Sequence, residues 1–162
     1  MQVTMASRVG WRQAAPECLL RLEPESIMKT ELLYLLLTSI LTGVLWIPVV
    51  IGYVSSRGIP TPSDYRAAST SRLPDWVNRA NRAHLNAVES FAPFAAVVLI
   101  ANATGVSNAV TESCAAVYFY ARVAHCVIHI SGFGRLMART VAFTVAWVAF
   151  LVFAGIVLQR AI

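Results

Sequence analysis

An uncharged run over residues 32–54, 23 residues long, constrains the fold of this chain more than any other feature. At about 1.5 Å per residue, a run of this length crosses the hydrocarbon core of a bilayer as a single α-helix. Pro48 lies inside the run and lacks the backbone N–H that a helix interior uses, so a local kink is expected there. The sequence therefore predicts a first transmembrane helix over residues 32–54.

The rest of the chain is also apolar. Hydrophobic residues make up 57% of the 162 residues and charged residues 13%, which excludes an ordinary soluble domain. Three more apolar segments predict helices over about residues 76–103, 110–130 and 136–158, the first of them with Asp75 as its N-cap. We interpret four glycines as helix ends and turns, namely Gly52, Gly58, Gly132 and Gly134. Four spans with one long and two short connections predict an all-α, integral membrane, antiparallel four-helix bundle formed by residues 28–162.

Residues 1–27 differ from the rest of the chain in composition. They mix arginine, glutamate and proline and contain no apolar run long enough for a signal-peptide core. We expect a disordered tail, or an over-extended start that precedes a second plausible start at Met28. The net charge of +5 comes from arginines scattered between apolar runs, so no nucleic-acid partner is expected. The cysteines have no metal-ligand spacing, and we predict no metal site.

Basic residues are unevenly distributed among the predicted loops. The first loop contains Arg57, Arg66, Arg72 and Arg79, the third contains Arg135 and Arg139, and the second contains no lysine or arginine. Because cytoplasmic loops carry an excess of basic residues, we expect loops one and three to be cytoplasmic. The arginines of residues 1–27 argue for the opposite orientation.

A polar stripe continues from the first loop into the second predicted helix. Its members recur at spacings of three and four, so they share one helix face. They are Arg79, Arg82, Asn86, Glu89 and Pro93. Because the segment after Asn86 is membrane-like, Glu89 lies inside an apolar helix, where a carboxylate needs a partner.

The third predicted helix has a polar face of its own, formed by Tyr118, Arg122, His125 and His129. In the predicted topology, Glu89 and Arg122 lie at similar depths, about 14 to 15 Å from the same end of the bundle. One interpretation is a structural ion pair between these two side chains. The other is a polar cavity that admits a ligand, which also accounts for the remaining polar residues on the two faces.

The spacing of Arg82, Asn86 and Glu89, followed by Pro93, resembles the second helix of the MAPEG family, the membrane-associated proteins of eicosanoid and glutathione metabolism. The resemblance extends over roughly residues 28–158 and is closest to small bacterial members. It implies that Arg82, Asn86 and Glu89 bind glutathione or another low-molecular-weight thiol. It also implies a homotrimer with sites between subunits, in contact with membrane lipid in a bacterial inner membrane.

Further correspondences with the family fall in the third and fourth helices. Arg122 and His125 match the family's third-helix arginine and its histidine partner, and they are assigned to thiol binding. His129 is assigned there too, although it stands where many members have tyrosine. Arg139 and Thr140 resemble the Arg-Ser or Arg-Thr pair that stabilises the glutathione thiolate in catalytic members.

These correspondences imply a glutathione-dependent transferase or peroxidase whose lipophilic substrate arrives from the bilayer. The implied chemistry is thiolate activation by Arg139, since a nearby cation favours the anion of a thiol, and Arg135 is the competing residue for this role. The alternatives are a non-catalytic lipid-binding protein, which the family also includes, and a purely structural membrane protein. A metal at His125 and His129 is disfavoured, because Glu89 alone among the acids lies deep in a predicted span.

Overall fold

The computed structural model describes residues 28–62, 73–133 and 137–161, and these residues form helices and connecting turns without any strand. The helices are α1 (Thr30–Val44), α2 (Trp46–Arg57), α3 (Asp75–Ala103), α4 (Ala109–Ser131) and α5 (Ala138–Ala161). Within the described ranges, four segments are long and apolar enough to cross a membrane: Thr30–Arg57, Asp75–Ala103, Ala109–Ser131 and Ala138–Arg160. The predicted all-α four-helix membrane bundle is confirmed. The expectation for residues 1–27 lies outside the described residues.

The first span is broken at Leu45, which separates α1 from α2. Pro48 follows three residues later and has no N–H to donate to the carbonyl of Val44, the last residue of α1. The helix is thus interrupted at Leu45, three residues before Pro48, while Leu45 itself keeps right-handed helical dihedrals of φ −64° and ψ −16°. The kink expected at Pro48 stays a prediction. Leu45 is buried and packs against Ala87 and Cys126, so the break turns an apolar side chain toward α3 and α4.

Helix α3 packs against all four other helices and α4 packs against α1, α3 and α5, so these two helices form the centre of the bundle. The core combines aromatic and aliphatic residues with many alanines on the buried helix faces, among them Ala80, Ala83, Ala87, Ala115 and Ala146. Small residues let helix backbones approach closely, which is the main source of helix association inside a membrane.

The interpretation of the four glycines as helix ends and turns is right at two positions and wrong at one. Gly58 and Gly132 are C-caps with φ of 80° and 73°, a conformation that glycine adopts without strain. The interpretation of Gly52 as a helix end is wrong, since it lies inside α2 and is buried. A Cβ at Gly52 would lie 2.7 Å from the ring of Trp76, so glycine there permits the close approach of α2 and α3. Gly134 lies outside the described residues.

The two ends of the bundle are named after one residue each. The Glu31 end contains the start of α1, the turn between α3 and α4, and the end of α5. There Asn108 caps α4 by accepting hydrogen bonds from the backbone N–H groups of Val110 and Thr111. Glu31 is buried at this end, and its Oε1 accepts hydrogen bonds from Ser107 Oγ at 2.9 Å and from Thr111 Oγ1 at 2.6 Å.

The Arg79 end contains the starts of α3 and α5 and the end of α4. Nε of Arg79 donates to the backbone carbonyl of Ile130 at 3.1 Å, which ties the start of α3 to the last turn of α4. The predicted N-cap of α3 is off by one residue, because Pro74 is the N-cap and Asp75 is the first helical residue. Helix α5 starts at Ala138, and the predicted start at residue 136 lies outside the described residues.

Candidate functional site

The polar stripes of α3 and α4 meet at Arg122. This side chain is only 2% exposed, and its Nη2 donates a hydrogen bond to Oδ1 of Asn86 at 2.9 Å. Its second terminal nitrogen, Nη1, is also buried and has no hydrogen-bond partner among the residues that the structure describes. A buried guanidinium with an unused donor fits an acceptor that comes from outside the chain, since leaving such a group unpaired is costly.

Glu89 is exposed on the single chain, although its helix crosses the membrane. No ion pair joins Glu89 to Arg122 in the part of the chain that the structure describes, so the structural ion pair considered from the sequence is not present. The two residues nevertheless line the same cavity, as expected from their predicted depths. The carbonyl of Glu89 also lacks a helical donor, because Pro93 follows four residues later in α3.

The two histidines of α4 lie between Arg122 and the Arg79 end. His125 is 5% exposed, and its ring centroid lies 5.7 Å from that of His129 and 6.0 Å from that of Phe143. Nδ1 of His125 is buried, and no described residue forms a hydrogen bond with it. Nη1 of Arg139 lies 3.5 Å from Nδ1 of His129, and because arginine only donates, this contact requires Nδ1 to be the acceptor nitrogen.

An outer cavity of about 490 Å³ opens at the Arg79 end. Its lining consists of Asp75, Asn78, Arg79, Asn81, Arg82, His129 and Arg139. Three guanidinium groups and one carboxylate give this cavity an excess of positive charge. Arginine donates two parallel hydrogen bonds to a carboxylate, so the outer cavity suits a ligand with more than one acidic group.

An inner cavity of about 260 Å³ lies deeper in the bundle, between α3, α4 and α5. Its lining consists of Asn86, Glu89, Ser90, Pro93, Tyr118, Arg122, Phe143, Ala146, Trp147 and Phe150. Polar side chains therefore form one end of this cavity, and aromatic side chains form the wall on α5. The hydroxyl of Tyr118 donates to the carbonyl of Ser90 at 2.8 Å, which holds the Tyr118 ring in place.

A lateral cavity of about 380 Å³ contains Thr140, the last of the residues singled out from the sequence. Thr140 is exposed and shares this cavity with Arg79, His129 and Arg139. The structure thus brings Arg139 and Thr140 to His129 at the Arg79 end, and it does not place them in the inner cavity with Arg122. Arg135, the competing residue for thiolate activation, lies outside the described residues.

Several lining residues were not assigned to a site from the sequence. Arg79 and Tyr118 belong to the two polar stripes, and their positions on those stripes were a usable signal. The aromatic wall of the inner cavity, formed by Phe143, Trp147 and Phe150, gave no such signal. These residues recur at spacings of four and three, but in a uniformly apolar helix this face looks the same as a lipid-facing one.

A metal site has little support in the described ranges, where no group of three or more His, Cys, Asp or Glu side chains is close enough to hold an ion. His125 and His129 face Arg122 and Arg139 instead of additional acids. The donor set around the two cavities is dominated by N–H groups, which bind anions and hydrogen-bond acceptors.

Comparison with known protein families identifies one family whose model matches most of the chain. A model of the MAPEG family matches residues 32–159, which include nearly all of the four spans and every site residue named above from the second span onward. No curated protein sequence matches the chain significantly. On the extent of the family match, and on the all-helical four-span architecture, the chain belongs to the MAPEG family.

Proposed function

We propose that this protein is a glutathione-dependent membrane enzyme, a transferase or peroxidase that acts on lipophilic substrates. The observation that carries the proposal is the junction of the two polar stripes, where Arg122 anchors Asn86 at 2.9 Å and keeps a second, unpartnered donor. Members of the MAPEG family include glutathione transferases and peroxidases as well as non-catalytic proteins. The hydrogen-bond donors and acceptors along this junction are complementary to the carboxylates, ammonium group and amides of glutathione.

Glutathione has two carboxylates, one ammonium group and two amides. We assign its carboxylates to the outer cavity, where Arg79 and Arg82 supply guanidinium groups. Glu89 is suited to the ammonium group, and Asn86 to an amide. The buried and unpartnered nitrogens of Arg122 and His125 support this assignment, because a bound peptide supplies acceptors for them.

His129 and Thr140 complete the assignment at the Arg79 end. When bound, glutathione supplies the thiolate nucleophile, and a free thiol with a pKa of about 8.5 is mostly protonated at neutral pH. Arg139 places a permanent positive charge beside His129 and favours the anionic form of a nearby sulfur. The Thr140 hydroxyl is the proposed second donor to that sulfur.

A homotrimer is part of the proposal because Arg82 and Glu89 are exposed on the single chain. Charged side chains in a membrane helix are costly unless they face protein or a water-filled cavity, so a neighbouring subunit is expected to cover this face. We assign the Arg79 end to the cytoplasmic side of a bacterial inner membrane, since loops one and three contain the excess of arginine. Glutathione then reaches the outer cavity from the cytoplasm.

The first test is the melting temperature of the detergent-purified protein with and without millimolar glutathione. A ligand at 100 times its Kd stabilises the folded state by about 2.7 kcal/mol, so we expect a rise of several degrees. Arg82→Ala and Glu89→Ala should each abolish the rise, because they remove assigned contacts to a carboxylate and to the ammonium group.

Arg160→Ala is the matched control, since Arg160 is equally an exposed arginine but lies at the opposite end of the bundle. It should leave the glutathione response unchanged. Full glutathione response in both Arg82→Ala and Glu89→Ala would refute the proposed site. Absence of a response in the wild type would favour another low-molecular-weight thiol, which the same assay detects.

Catalysis needs a separate readout. Arg139→Ala should retain most of the glutathione response but lose turnover of electrophiles and hydroperoxides, because the cation that favours the thiolate is gone. The second candidate function is non-catalytic lipid binding, and the observation that favours it is the distance of Arg139 from the inner cavity, in which it is not a lining residue. Glutathione binding by the wild type without turnover of any electrophile would support that candidate.

A further inference from the structure

Pro93 frees a backbone hydrogen-bond acceptor inside a membrane-spanning helix. It lies within α3 and has no N–H to donate to the carbonyl of Glu89, four residues earlier. In hydrocarbon every backbone polar group needs a partner, so a proline is tolerated in a span where a neighbouring helix, a hydroxyl side chain or water replaces the missing donor. The carbonyl of Glu89 therefore requires a donor that α3 itself does not supply.

The hydroxyl groups near this carbonyl donate to other acceptors. Oγ of Ser90 donates to the carbonyls of Asn86 and Ala87, at 2.8 and 3.2 Å. The hydroxyl of Tyr118 donates to the carbonyl of Ser90 at 2.8 Å, one residue away from the freed carbonyl. Within the described ranges, no side chain donates to the carbonyl of Glu89. Its donor is therefore expected from a ligand or from another subunit.

Contacts with α4 fix the position of this turn of α3. The ring of Tyr118 stacks on that of Phe94, with centroids 3.8 Å apart and an angle of 9° between the planes. One turn away on each helix, Nη2 of Arg122 donates to Oδ1 of Asn86 at 2.9 Å. The two contacts lie on either side of Glu89 in the sequence, so they hold its carbonyl in place relative to the guanidinium of Arg122.

An unused donor lies in the same cavity as the freed acceptor. Glu89, Pro93 and Arg122 all line the inner cavity, and Nη1 of Arg122 is buried there with no hydrogen-bond partner among the described residues. A secondary amide offers the two complementary groups, an N–H that donates and a C=O that accepts. One amide group in this cavity can thus satisfy both the carbonyl of Glu89 and the guanidinium of Arg122.

Pro48 provides an internal comparison. It lies inside the first span and frees the carbonyl of Val44 by the same chemistry. Neither Pro48 nor Val44 lines the inner, the outer or the lateral cavity. Pro93 differs in that its freed carbonyl belongs to a residue of the candidate site.

We propose that the backbone carbonyl of Glu89, freed by Pro93, is a binding group that accepts a hydrogen bond from the N–H of a secondary amide in the ligand. Nη1 of Arg122 donates to the C=O of the same amide. Pro93 is then a positioning residue, because it acts through the carbonyl that it leaves unpaired. The assignment of this amide to glutathione rests on the proposed function, and the side chain of Glu89 stays assigned to the ammonium group.

Pro93→Ala tests the proposal, because alanine restores the N–H that pairs with the carbonyl inside the helix. The ligand is the glutathione analogue in which 2-aminobutyrate replaces cysteine, so that binding is measured without thiol chemistry. It is titrated into the full-length protein in lipid nanodiscs. We expect binding about tenfold weaker than in the wild type, the ratio that one ordinary hydrogen bond corresponds to. The melting temperature without ligand should stay constant or rise, and an unchanged Kd would overturn the proposal.

Pro48→Ala is the matched control, since it restores an N–H in another span. It should leave the Kd of the analogue unchanged. Equal weakening in Pro48→Ala and Pro93→Ala would mean that any repair of a proline break disturbs binding, and the specific role of the Glu89 carbonyl would be refuted.

Ester analogues separate the hydrogen bond from a change in helix shape. Each of two analogues replaces one amide N–H of the thiol-free peptide by an ester oxygen. One ester should bind the wild type about tenfold more weakly than the amide parent, because the carbonyl of Glu89 loses its donor. Pro93→Ala should bind that ester and the amide parent equally. Discrimination that persists in Pro93→Ala would contradict the proposal. So would equal affinity of the wild type for both esters and the parent, a result that needs no variant to fold.

The outcomes for this inference and for the proposed function are separate. Binding of the thiol-free analogue that depends on Pro93, without turnover of any electrophile or hydroperoxide with glutathione, would reject the enzyme and support the inference. Turnover with glutathione, together with an unchanged Kd in Pro93→Ala, would support the enzyme and reject the inference. Failure of the wild type to bind either glutathione or the analogue would reject both.

Discussion

The Glu31 end of the bundle and the half that leads to the Arg79 end both contain buried polar side chains, and they differ in the hydrogen-bond partners that these side chains find within the chain. At the Glu31 end, Ser107 and Thr111 donate to one oxygen of Glu31, and Asn108 caps α4. The other oxygen, Oε2, is buried and has no hydrogen-bond partner within the described ranges. Toward the Arg79 end, Arg122 and His125 each bury a nitrogen that has no hydrogen-bond partner among the described residues. Cavities open at both ends of the bundle, and the one that Arg122 lines is the inner cavity.

This difference indicates two separate roles. Because Glu31 finds hydrogen-bond partners within the chain, the Glu31 end connects α1 to α4 and to the turn before α4. Each unpaired buried group costs about 1 to 3 kcal/mol in an isolated chain, so the unpaired nitrogens of Arg122 and His125 together cost more than the one unpaired oxygen of Glu31. Such groups persist where a ligand or another subunit completes their hydrogen bonds. We therefore assign a structural role to the first end and propose ligand binding for the second.

The largest expected effect is the loss of the tie at the Glu31 end. Glu31→Ala removes a buried acceptor of two hydroxyl hydrogen bonds, and hydrogen bonds to charged groups contribute about 1.5 to 3 kcal/mol. At about 2 to 4 °C per kcal/mol for a chain of this size, the melting temperature should fall by several degrees. The increment that glutathione adds should stay the same.

Glu112→Ala provides the control for this change. Glu112 is a partly buried acid in the first turn of α4, at the same end of the bundle, and its side chain makes no hydrogen bond among the described residues. Its removal should lower the melting temperature by less than Glu31→Ala does, through the weaker interaction with the helix dipole. Equal falls in melting temperature in the two variants would mean that the hydrogen bonds of Glu31 add no stability beyond what the Glu112 carboxylate contributes.

A smaller effect on stability, with a different sign, is expected from Arg122→Met at the Arg79 end. Replacing a buried ionic group by an apolar side chain of similar length is often neutral, or stabilising by about 1 to 4 kcal/mol. The melting temperature without ligand should therefore stay constant or rise, while the glutathione response disappears. A fall of several degrees would make Arg122 a structural tie like Glu31, and the contrast between the two ends would be lost.

Much of the fold was predictable from the sequence, because the length of an apolar run reports directly on the thickness of the bilayer. Residues 32–54 identified the first span, and Pro48 identified a break that the structure has at Leu45. Gly52 was misread because glycine marks both helix ends and close helix contacts. Which of the two applies depends on Trp76, a neighbour that lies 24 residues later in the sequence.

The candidate site was predictable where polar residues interrupt an apolar helix. Asn86 and Arg122 stood out for that reason, and the structure brings them into contact. Depth along a helix did not decide between Asn86 and Glu89 as the partner of Arg122, since they lie one turn apart, about 4.5 Å. The wall of Phe143 and Trp147 was missed because aromatic residues that line a cavity and those that face lipid have the same sequence pattern.

The most direct test of the separation between the two ends is an equilibrium titration of glutathione into the wild type, Asn86→Ala and Glu31→Ala in nanodiscs. We predict that Asn86→Ala weakens binding about tenfold or more, which corresponds to about 1.4 kcal/mol, because it removes a ligand contact and the anchor of Arg122. Glu31→Ala should leave the Kd unchanged. Equal weakening in both variants, or an unchanged Kd in Asn86→Ala, would contradict the assignment of binding to the Arg79 end.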